Sequence, residues 1–319
     1  MSKNKRTKQE GLVIKVTGKE YLIKTDDNKK YKCVIKGNLR TKEFKATNPV
    51  AIGDIVEFEW DEEKNLGFIR EIKDRKNYII RKSAKLSKQF QIIAANIDRA
   101  FLVATLINPP TSTKFIDRFL ATAEAYNIPA TIIFNKIDLY TTDELQEDLF
   151  FLENVYKEIG YDVIKISVKE NKNLDEVIEA TKNKINLFTG HSGVGKSSLI
   201  KALIPGIEIK IGSLSEYHLK GKNTTSHSEM FELPYGGYLI DTPGIKGFGL
   251  YEFKKEELSH FFPEIFRIGQ NCEFNDCTHT HEPGCAVKQA VEEGLIAYTR
   301  YESYLDIFFD ENEKYRKPF

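Results

Sequence analysis

The chain has 319 residues, with 47 basic and 47 acidic side chains, 41% hydrophobic residues and 4 cysteines. A chain of this length has room for three domains of ordinary size. No stretch approaches about eighteen consecutive apolar residues, and the basic N-terminus lacks an apolar core, so we expect neither a membrane span nor a signal peptide.

The balanced total charge conceals an asymmetry between the two ends of the chain. Residues 1–90 carry 23 Lys and Arg against 13 Asp and Glu, a net charge of +10, and the remainder carries a net charge of −10. A basic end of this kind is a hint of nucleic-acid contact. Within it, residues 1–10 lack an apolar core, and we expect them to be a disordered basic tail.

Alternating apolar and polar residues predict five short strands in the next segment. They fall at residues 11–17, 20–25, 30–36, 55–60 and 67–72, separated by polar turns. Five strands of this length suit a small β-barrel of the oligonucleotide-binding (OB) type over residues 11–72, which we expect to bind RNA. A lysine-rich barrel that binds protein is the alternative. Cys33 alternates with apolar neighbours and is expected in the barrel core, and residues 73–90 are expected to form a linker.

Apolar runs at 101–106, 130–134, 163–167, 185–189 and 238–240 predict the buried strands of an α/β domain over residues 91–248. The second run leads into the sequence Asn135-Lys136-Ile137-Asp138. The Asp138 carboxylate can accept hydrogen bonds from N1–H and the 2-amino group of guanine, whereas adenine offers no such donor pair. Ser167 and Val168 end the third run, where a backbone loop would contact the same base.

A phosphate-binding loop follows the fourth apolar run, and a helical pattern follows the loop. The Gly-x-x-x-x-Gly-Lys-Ser spacing lets backbone N–H groups surround the α- and β-phosphates of a nucleotide. Lys196 would reach the β- and γ-phosphate oxygens, and Ser197 would bind Mg²⁺. The residues expected to contact the nucleotide here are Gly190, His191, Ser192, Gly193, Val194, Gly195, Lys196, Ser197 and Ser198.

The order of these two motifs is the reverse of that in an ordinary GTPase, where the phosphate loop precedes the Asn-Lys-x-Asp sequence. The sequence therefore predicts a circularly permuted, doubly wound phosphate-loop GTPase domain, in which the base-reading half comes first. The Asp-Thr-Pro-Gly segment, Asp241–Gly244, lies near the end of this domain.

Two segments are expected to respond to the γ-phosphate. Asp241 suits an outer-shell contact to Mg²⁺, and the Gly244 N–H is placed to sense the γ-phosphate. In the polar segment 221–225, Thr225 is the expected Mg²⁺ ligand and Thr224 the close alternative; a solvated turn without a metal role also fits. Ile245 stands where many GTPases have a water-orienting glutamine, so the chain alone should hydrolyse GTP slowly.

Three cysteines and a histidine fall within fourteen residues of the C-terminal segment, spaced Cys-x4-Cys-x-His-x5-Cys. Three thiolates with one imidazole form a closed structural zinc set, namely Cys272, Cys277, His279 and Cys285. His281 is the competing imidazole, and a disulfide is disfavoured by the odd number of clustered cysteines. We expect a helical zinc-binding domain over residues 249–319. Gly294 is expected to stop a helix, and Tyr301, Leu305 and Phe308 recur at helical spacing as core packing or a partner surface.

Taken together, these motifs resemble the circularly permuted ribosome small subunit-dependent GTPase A (RsgA) family. The resemblance rests on residues 135–138, 190–198, 241–244 and 277–285 and on the Phe-Pro-Glu at 262–264, and it covers nearly the whole chain. It implies a late factor in small-subunit maturation that binds the 30S particle through ribosomal RNA, with a GTPase stimulated by that particle. It also implies the same zinc ligands and GTP-contacting residues.

One position departs from the family pattern. Asn223 stands where the family usually has a histidine with a proposed role in hydrolysis. Asparagine can hydrogen-bond to water but cannot take up a proton near neutral pH, although it could still orient the water. His227 is a second candidate, or else a solvated side chain.

From the sequence we therefore expect an α/β multidomain protein that is cytoplasmic and monomeric and uses GTP/GDP with Mg²⁺ and one structural Zn²⁺. Its partners would be the 30S subunit and 16S rRNA, and its hydrolytic residues Lys196, Asn223, Thr225 and Gly244. The rival interpretation is a GTP-gated RNA- or ribosome-binding module with negligible turnover of its own.

Overall fold

The computed structural model describes residues 6–36, 49–82, 90–207, 228–241 and 254–310. The chain divides into two compact units. The first unit comprises residues 1–99, 181–188 and 208–247, and the second comprises residues 100–180, 189–207 and 248–319.

The N-terminal part of the first unit is a five-stranded β-barrel. Its strands are β1 (Arg6–Thr17), β2 (Glu20–Lys24), β3 (Lys30–Ile35), β4 (Ile55–Asp61) and β5 (Leu66–Ile72). They pair in the order β1-β2-β3-β5-β4, and a further pairing of β1 with β4 closes the barrel. Ile23, Cys33 and Phe58 are fully buried inside it. The predicted barrel and the core position of Cys33 are confirmed.

Strand β1 begins earlier than the sequence analysis expected. Residues 6–10 pair with β4, from Arg6 opposite Asp61 to Glu10 opposite Glu57. The expectation of a disordered tail is therefore wrong for residues 6–10, while residues 1–5 lie outside the described residues. The physical reason is non-local, because β4 supplies the backbone hydrogen bonds, and the Lys8 Nζ lies 2.6 Å from Glu57 Oε2.

The segment expected to be a linker contains regular structure. Strands β6 (Tyr78–Lys82) and β7 (Phe90–Ala95) form an antiparallel pair. Ile79, Ile80 and Ile92 are buried. The burial of these apolar side chains stabilises regular structure in a segment whose many charged residues had suggested a linker.

Three parallel strands form the sheet of the second unit. They are β8 (Arg99–Ala104), β9 (Ala130–Phe134) and β10 (Asp162–Lys165), and β9 pairs with both of the others. Every residue of β8 after Arg99 is buried, as a parallel strand covered on both faces requires. The predicted apolar runs correspond to these strands.

The remaining described strands are β11 (Ile185–Thr189), β12 (Ser228–Glu232) and β13 (Tyr238–Asp241), and all but Thr189 belong to the first unit. Strand β13 pairs with β11 in parallel and with β12 in antiparallel orientation. Strand β12 also pairs with β1 of the barrel. The Lys24 Nζ lies 2.8 Å from Glu232 Oε2, which adds an ion pair across this junction.

Among the described residues, four α-helices accompany the strands, and the C-terminal segment adds three more. The first four are α1 (Thr113–Ala125), α2 (Asp143–Ile159), α3 (Leu174–Thr181) and α4 (Lys196–Leu203). The Ser112 and Thr142 hydroxyls accept from the first turns of α1 and α2, which fixes where these helices begin. None of the described helices has the length and apolarity of a membrane-spanning segment.

The C-terminal segment packs as a small helical domain within the second unit. It contains a 3-10 helix (Lys255–Phe261), α5 (Pro263–Gly269), α6 (Ala286–Glu292) and α7 (Tyr298–Phe309). Its core includes Phe262, Ile265 and Tyr304, with Tyr301, Leu305 and Phe308 packed against it. The aromatic stripe is thus core packing, and Gly294, with a φ of 75°, follows the end of α6 as expected.

Candidate functional site

Asn135, at the end of β9, connects three of the predicted nucleotide-binding segments. Its Nδ2 donates to the Val194 carbonyl oxygen at 2.9 Å, and its Oδ1 accepts from the Val168 N–H at 3.3 Å. The side chain is almost fully buried. The Asn135 amide therefore acts as a structural clamp that holds the base-reading loop, the Ser167–Val168 loop and the phosphate loop together.

Lys136 makes a second link to the phosphate loop. Its Nζ donates to the Gly193 carbonyl oxygen at 2.8 Å and also contacts the Asn108 carbonyl oxygen. Its backbone is left-handed, with a φ of 64°, a conformation that costs energy outside glycine and asparagine. The contacts of the ammonium group and the Ile137 N–H bond to the Ile166 carbonyl oxygen hold the loop in this shape.

The Asp138 carboxylate is oriented from one side. Its Oδ1 accepts from the Ser167 hydroxyl at 2.6 Å, and its Oδ2 lies 3.8 Å from the Lys169 Nζ. Ile137 and Asp138 form the first turn of a short 3-10 helix. A carboxylate oxygen can accept more than one hydrogen bond, so the group keeps acceptor capacity for a ligand.

Glycines in the phosphate loop are required by its backbone geometry and by close neighbours. Gly190, Gly193 and Gly195 have φ values of 152°, 90° and 91°. A Cβ on Gly195 would lie 2.3 Å from the Asn135 Nδ2, and a Cβ on Gly190 would lie 2.6 Å from the Val103 carbonyl oxygen. A larger residue at position 195 would collide with the base-reading segment, and one at position 190 would collide with Val103 of β8.

Helix α4 begins directly after this loop. Gly195 is its N-cap and supplies no side-chain cap, so the N–H groups of the first turn remain available to an anionic ligand. Lys196 and Ser197 are half-buried in that first turn, while Ser192 and Ser198 are exposed. This placement is the one that the phosphate-loop spacing predicts.

Tyr140 is a site residue that sequence reasoning missed. Its hydroxyl donates to the Asn135 carbonyl oxygen at 2.7 Å and accepts from the Leu106 N–H at 2.9 Å. Burial raises the pKa of Tyr140, so the hydroxyl keeps the proton that it donates. The only sequence signal for a role of Tyr140 is its position two residues after Asp138.

Thr111 and Phe115 were also missed, and both contact the phosphate-loop histidine. The Thr111 Oγ1 lies 2.7 Å from the His191 Nε2, and the Phe115 ring meets the imidazole edge-on at 5.7 Å between centroids. His191 is therefore held against the start of α1. No sequence signal links positions 80 residues apart.

The residues expected to respond to the γ-phosphate remain predictions. Thr225, Asn223 and Gly244 lie outside the described residues. Asp241 is the last residue of β13 and pairs in register with Phe188 of β11.

In the C-terminal domain the structure brings Cys272, Cys277, His279 and Cys285 together. Their candidate ligand atoms all lie within 4.8 Å of one another. The Cys272 and Cys285 sulfurs are 4.0 Å apart, and each lies 3.5–3.6 Å from the His279 Nδ1. A tetrahedral zinc ion separates its sulfur and nitrogen ligands by roughly 3.5–3.8 Å, whereas a disulfide requires about 2 Å between sulfurs. The spacing fits a metal and excludes a disulfide between Cys272 and Cys285.

Burial and hydrogen bonding favour His279 over His281 as the candidate metal ligand. His279 is buried, and burial lowers the pKa of its imidazole, which favours the neutral form that binds metals. The Tyr301 hydroxyl donates to the His279 carbonyl oxygen at 2.7 Å and fixes that turn. His281 is exposed, with its Nδ1 2.9 Å from the Thr280 hydroxyl.

A base-reading loop that precedes and clamps a phosphate loop, at the ends of parallel strands, defines the class of circularly permuted GTPases. The chain belongs to the RsgA GTPase family. The model of the RsgA GTPase matches residues 72–251, and that of the RsgA N-terminal domain matches residues 10–69.

Relatives of known name are similar over nearly their whole length. The small ribosomal subunit biogenesis GTPase RsgA 2 of Bacteroides thetaiotaomicron is 53% identical over 97% of this chain and 99% of its own. RsgA of Bacteroides fragilis is 54% identical over the same shares. The crystal structure of YjeQ from Thermotoga maritima matches with a TM-score of 0.78 and 33% identity over 95% of this chain and 98% of that one. YloQ, a circularly permuted GTPase, matches with a TM-score of 0.77 and 30% identity, covering 98% of this chain and 97% of that one.

Proposed function

We propose that this protein is a GTP-hydrolysing switch that acts on the small (30S) ribosomal subunit late in its maturation. The observation that carries the nucleotide assignment is the double link from residues 135 and 136 to the phosphate loop. Asn135 binds the Val194 carbonyl oxygen, and Lys136 binds that of Gly193. The names of the relatives support the choice of particle.

The proposed binding mode assigns a task to each segment. Asp138, oriented by Ser167, accepts from N1–H and the 2-amino group of guanine, while backbone N–H groups of residues 192–197 and the Lys196 ammonium hold the phosphates. An adenine ring presents no matching donors and leaves the Asp138 charge unpaired, which makes the site selective for guanine.

Two metal ions belong to the proposal. Ser197 and Thr225 would hold Mg²⁺ together with the nucleotide, where the ion neutralises charge that develops on the phosphates. Cys272, Cys277, His279 and Cys285 would hold Zn²⁺, whose role is to stabilise the C-terminal fold.

The proposed partner surface for RNA is the barrel with its basic flanking segments, since the N-terminal ninety residues together carry a net charge of +10. Binding to 16S rRNA through this domain, a cytoplasmic location and a monomeric state complete the proposal. GTP would favour the bound state of the switch, and hydrolysis would favour release.

The experiment that tests this function is GTP hydrolysis by the purified chain with and without 30S subunits. We expect slow phosphate release by the chain alone and a strong increase with the subunits. Absence of any increase, while the chain still cosediments with 30S subunits in GTP, would favour a GTP-gated binding module instead.

Two variants make the result specific. Lys196→Ala should abolish nucleotide binding or turnover, and ordinary activity in that variant would contradict the phosphate-loop assignment. Asn223→His should raise the stimulated rate if the histidine usual in the family takes part in hydrolysis. An unchanged rate means that Asn223 suffices or that another group orients the water.

A further inference from the structure

Within the described residues, helix α2 packs on the second unit through one face. Leu152, Glu153 and Tyr156 are buried on that face, and the Tyr156 hydroxyl donates to Asp117 Oδ1 at 3.0 Å. On the opposite face two adjacent aromatic rings are exposed. Phe150 is 66% exposed and Phe151 is 50% exposed.

Helical geometry places a polar strip between these two rings. Glu147 lies three residues before Phe150 and four before Phe151, and Asn154 lies four and three residues after them. Residues three and four apart are neighbours on a helix surface, so Glu147 and Asn154 each adjoin both rings. Asp143 and Glu158 extend the strip by one turn at either end.

We name this surface the α2 face and define it by Asp143, Glu147, Phe150, Phe151, Asn154 and Glu158. All of these residues are exposed except the half-buried Asn154. Within the part of the chain that the structure describes, none of the three carboxylates forms an ion pair. Glu153, on the other side of the helix, is paired with Lys157 and Lys165 and does not belong to the face.

Helix stability alone does not account for this composition. A carboxylate in the first turn favours the helix dipole, which explains Asp143 and the neighbouring Glu144. Glu147 lies in the second turn, and Glu158 lies near the C-terminal end, where a negative charge is unfavourable. Single exposed apolar residues are ordinary, but two adjacent phenylalanines on an otherwise polar helix face add an apolar patch that the described residues leave at least half exposed.

We propose that the α2 face binds a lysine- and arginine-rich segment of a protein of the small ribosomal subunit. The carboxylates would pair with the cationic groups, and the two rings would pack against the aliphatic parts of the same side chains or against neighbouring apolar ones. Proteins that lie on ribosomal RNA are rich in such cations because they meet phosphates. This proposal rests on the proposed function for the identity of the particle.

Charge decides against RNA as the occupant of this face. Phosphates would meet Asp143, Glu147 and Glu158 without a compensating cation on the face, and like charges repel. The N-terminal ninety residues, with a net charge of +10, are the part of the chain suited to RNA. The basic N-terminal segment would thus bind RNA, and the acidic α2 face would bind a basic protein segment.

The direct test places a photo-cross-linking phenylalanine analogue at position 150 of the full chain. The labelled protein is irradiated with purified 30S subunits and a non-hydrolysable GTP analogue, and the products are identified by mass spectrometry. A cross-link to a basic segment of a ribosomal protein is expected. A cross-link to rRNA, to a second copy of the chain, or to nothing while the chain cosediments, overturns the proposal. Failure to cosediment at all contradicts the proposed function itself, and the α2 proposal then falls with it.

Affinity measurements on two variants give an independent check. Phe150→Ser with Phe151→Ser should weaken binding to 30S subunits about tenfold, and Glu147→Lys should also weaken it. An RNA partner predicts the opposite sign for Glu147→Lys, because the new cation would attract phosphates. The matched control is Glu176→Lys, an exposed charge reversal on α3, which should leave the affinity unchanged. All variants should keep the thermal stability and GDP affinity of the parent chain.

Discussion

Arg300 of α7 donates from Nη1 to the Asp117 Oδ1 of α1 at 2.7 Å, deep inside the second unit. The same guanidinium donates from Nε to the Glu264 Oε1 of α5 at 2.7 Å. Burial opposes its charge, but Asp117 and Glu264 raise the pKa of Arg300 above its ordinary value. One side chain thus fastens the helical domain of the Cys3His cluster to α1.

The same N-terminal part of helix α1 also contacts the phosphate loop. The Thr111 hydroxyl, two residues before the helix, contacts His191, and Phe115 in its first turn packs on the same imidazole. Asp117 follows Phe115 by only two residues. A displacement of α1 would therefore be felt both at the phosphate loop and at the C-terminal domain.

We predict that Arg300→Met lowers the free energy of unfolding by about 3–5 kcal/mol, because it leaves the Asp117 and Glu264 carboxylates buried without their partner. The matched control is Arg118→Met on α1. Arg118 pairs with Asp310 at 3.0 Å but is one-third exposed, and its loss should cost about 0–1 kcal/mol. Urea unfolding of both variants measures the difference, and equal losses would contradict the importance of the buried cluster.

Tyr140→Phe removes one hydroxyl that joins the base-reading loop to residue 106. We expect the free energy of unfolding to fall by about 1–2 kcal/mol, because Leu106 N–H and Asn135 C=O lose a partner. GDP affinity should fall about threefold to tenfold, measured by isothermal titration calorimetry. Tyr235→Phe is the control, since its hydroxyl lies 3.2 Å from the Thr181 hydroxyl and belongs to the first unit. A loss of stability with unchanged GDP affinity would refute a positioning role for Tyr140.

Asp138→Asn exchanges an acceptor for a group that also donates. Its amide meets the guanine donors unfavourably, and we expect GDP affinity to fall by at least about a hundredfold. Xanthosine diphosphate, which presents a carbonyl oxygen where guanine has its amino group, should then bind better than GDP. Asp175→Asn, an exposed change on α3, serves as the control. Retained preference for GDP in Asp138→Asn would remove Asp138 from the site.

In a thiol titration, we expect three of the four cysteines to react after zinc is removed and Cys33 to stay unreactive until the protein unfolds. Burial raises the pKa of Cys33 to about 12, so this thiol stays protonated and unreactive in the folded barrel. The purified chain should carry close to one zinc per molecule by elemental analysis. Chelation should expose three reactive thiols, and the fourth should react only after unfolding. Cys33→Ala should leave the first three unchanged, and zinc-free protein with a folded C-terminal domain would refute the closed site.

Glu232 should make stability at the barrel junction sensitive to acid. Its hydrogen bonds with Lys24 and Lys30 lower the pKa of Glu232. Because the folded pKa is below the unfolded one, this stabilisation is complete above the unfolded pKa and is lost as the pH falls through the folded pKa. Glu232→Gln should therefore cost well under about 1 kcal/mol near pH 7, given its exposure, and less near pH 3. Urea unfolding at the two pH values, with the exposed Glu20→Gln as control, measures the difference. An equal cost at both values would contradict the ion pair.

The sequence by itself determined the local chemistry of this protein. Residues 135–138 and 190–197 could be predicted as nucleotide-binding segments from the sequence, because binding the donors and acceptors of a nucleotide requires those side chains at fixed spacing. Their reversed order needs no structure to be seen. The five barrel strands followed from alternation, and Cys272, Cys277, His279 and Cys285 from metal-ligand spacing.

Tertiary structure decided what depends on contacts between distant parts of the chain. Residues 6–10 carry no apolar pattern and form a strand only because β4 offers unpaired backbone groups. Nothing in the sequence distinguishes Arg300 from an exposed basic residue. Only the packing of α7 on α1 shows that it is buried against Asp117, 183 positions away. The hydrogen bonds of Tyr140 with Asn135 and Leu106, and of Thr111 with His191, likewise depend on the tertiary structure. Local sequence encodes which groups can react or bind, whereas the free energy that places a side chain comes from neighbours that only the fold supplies.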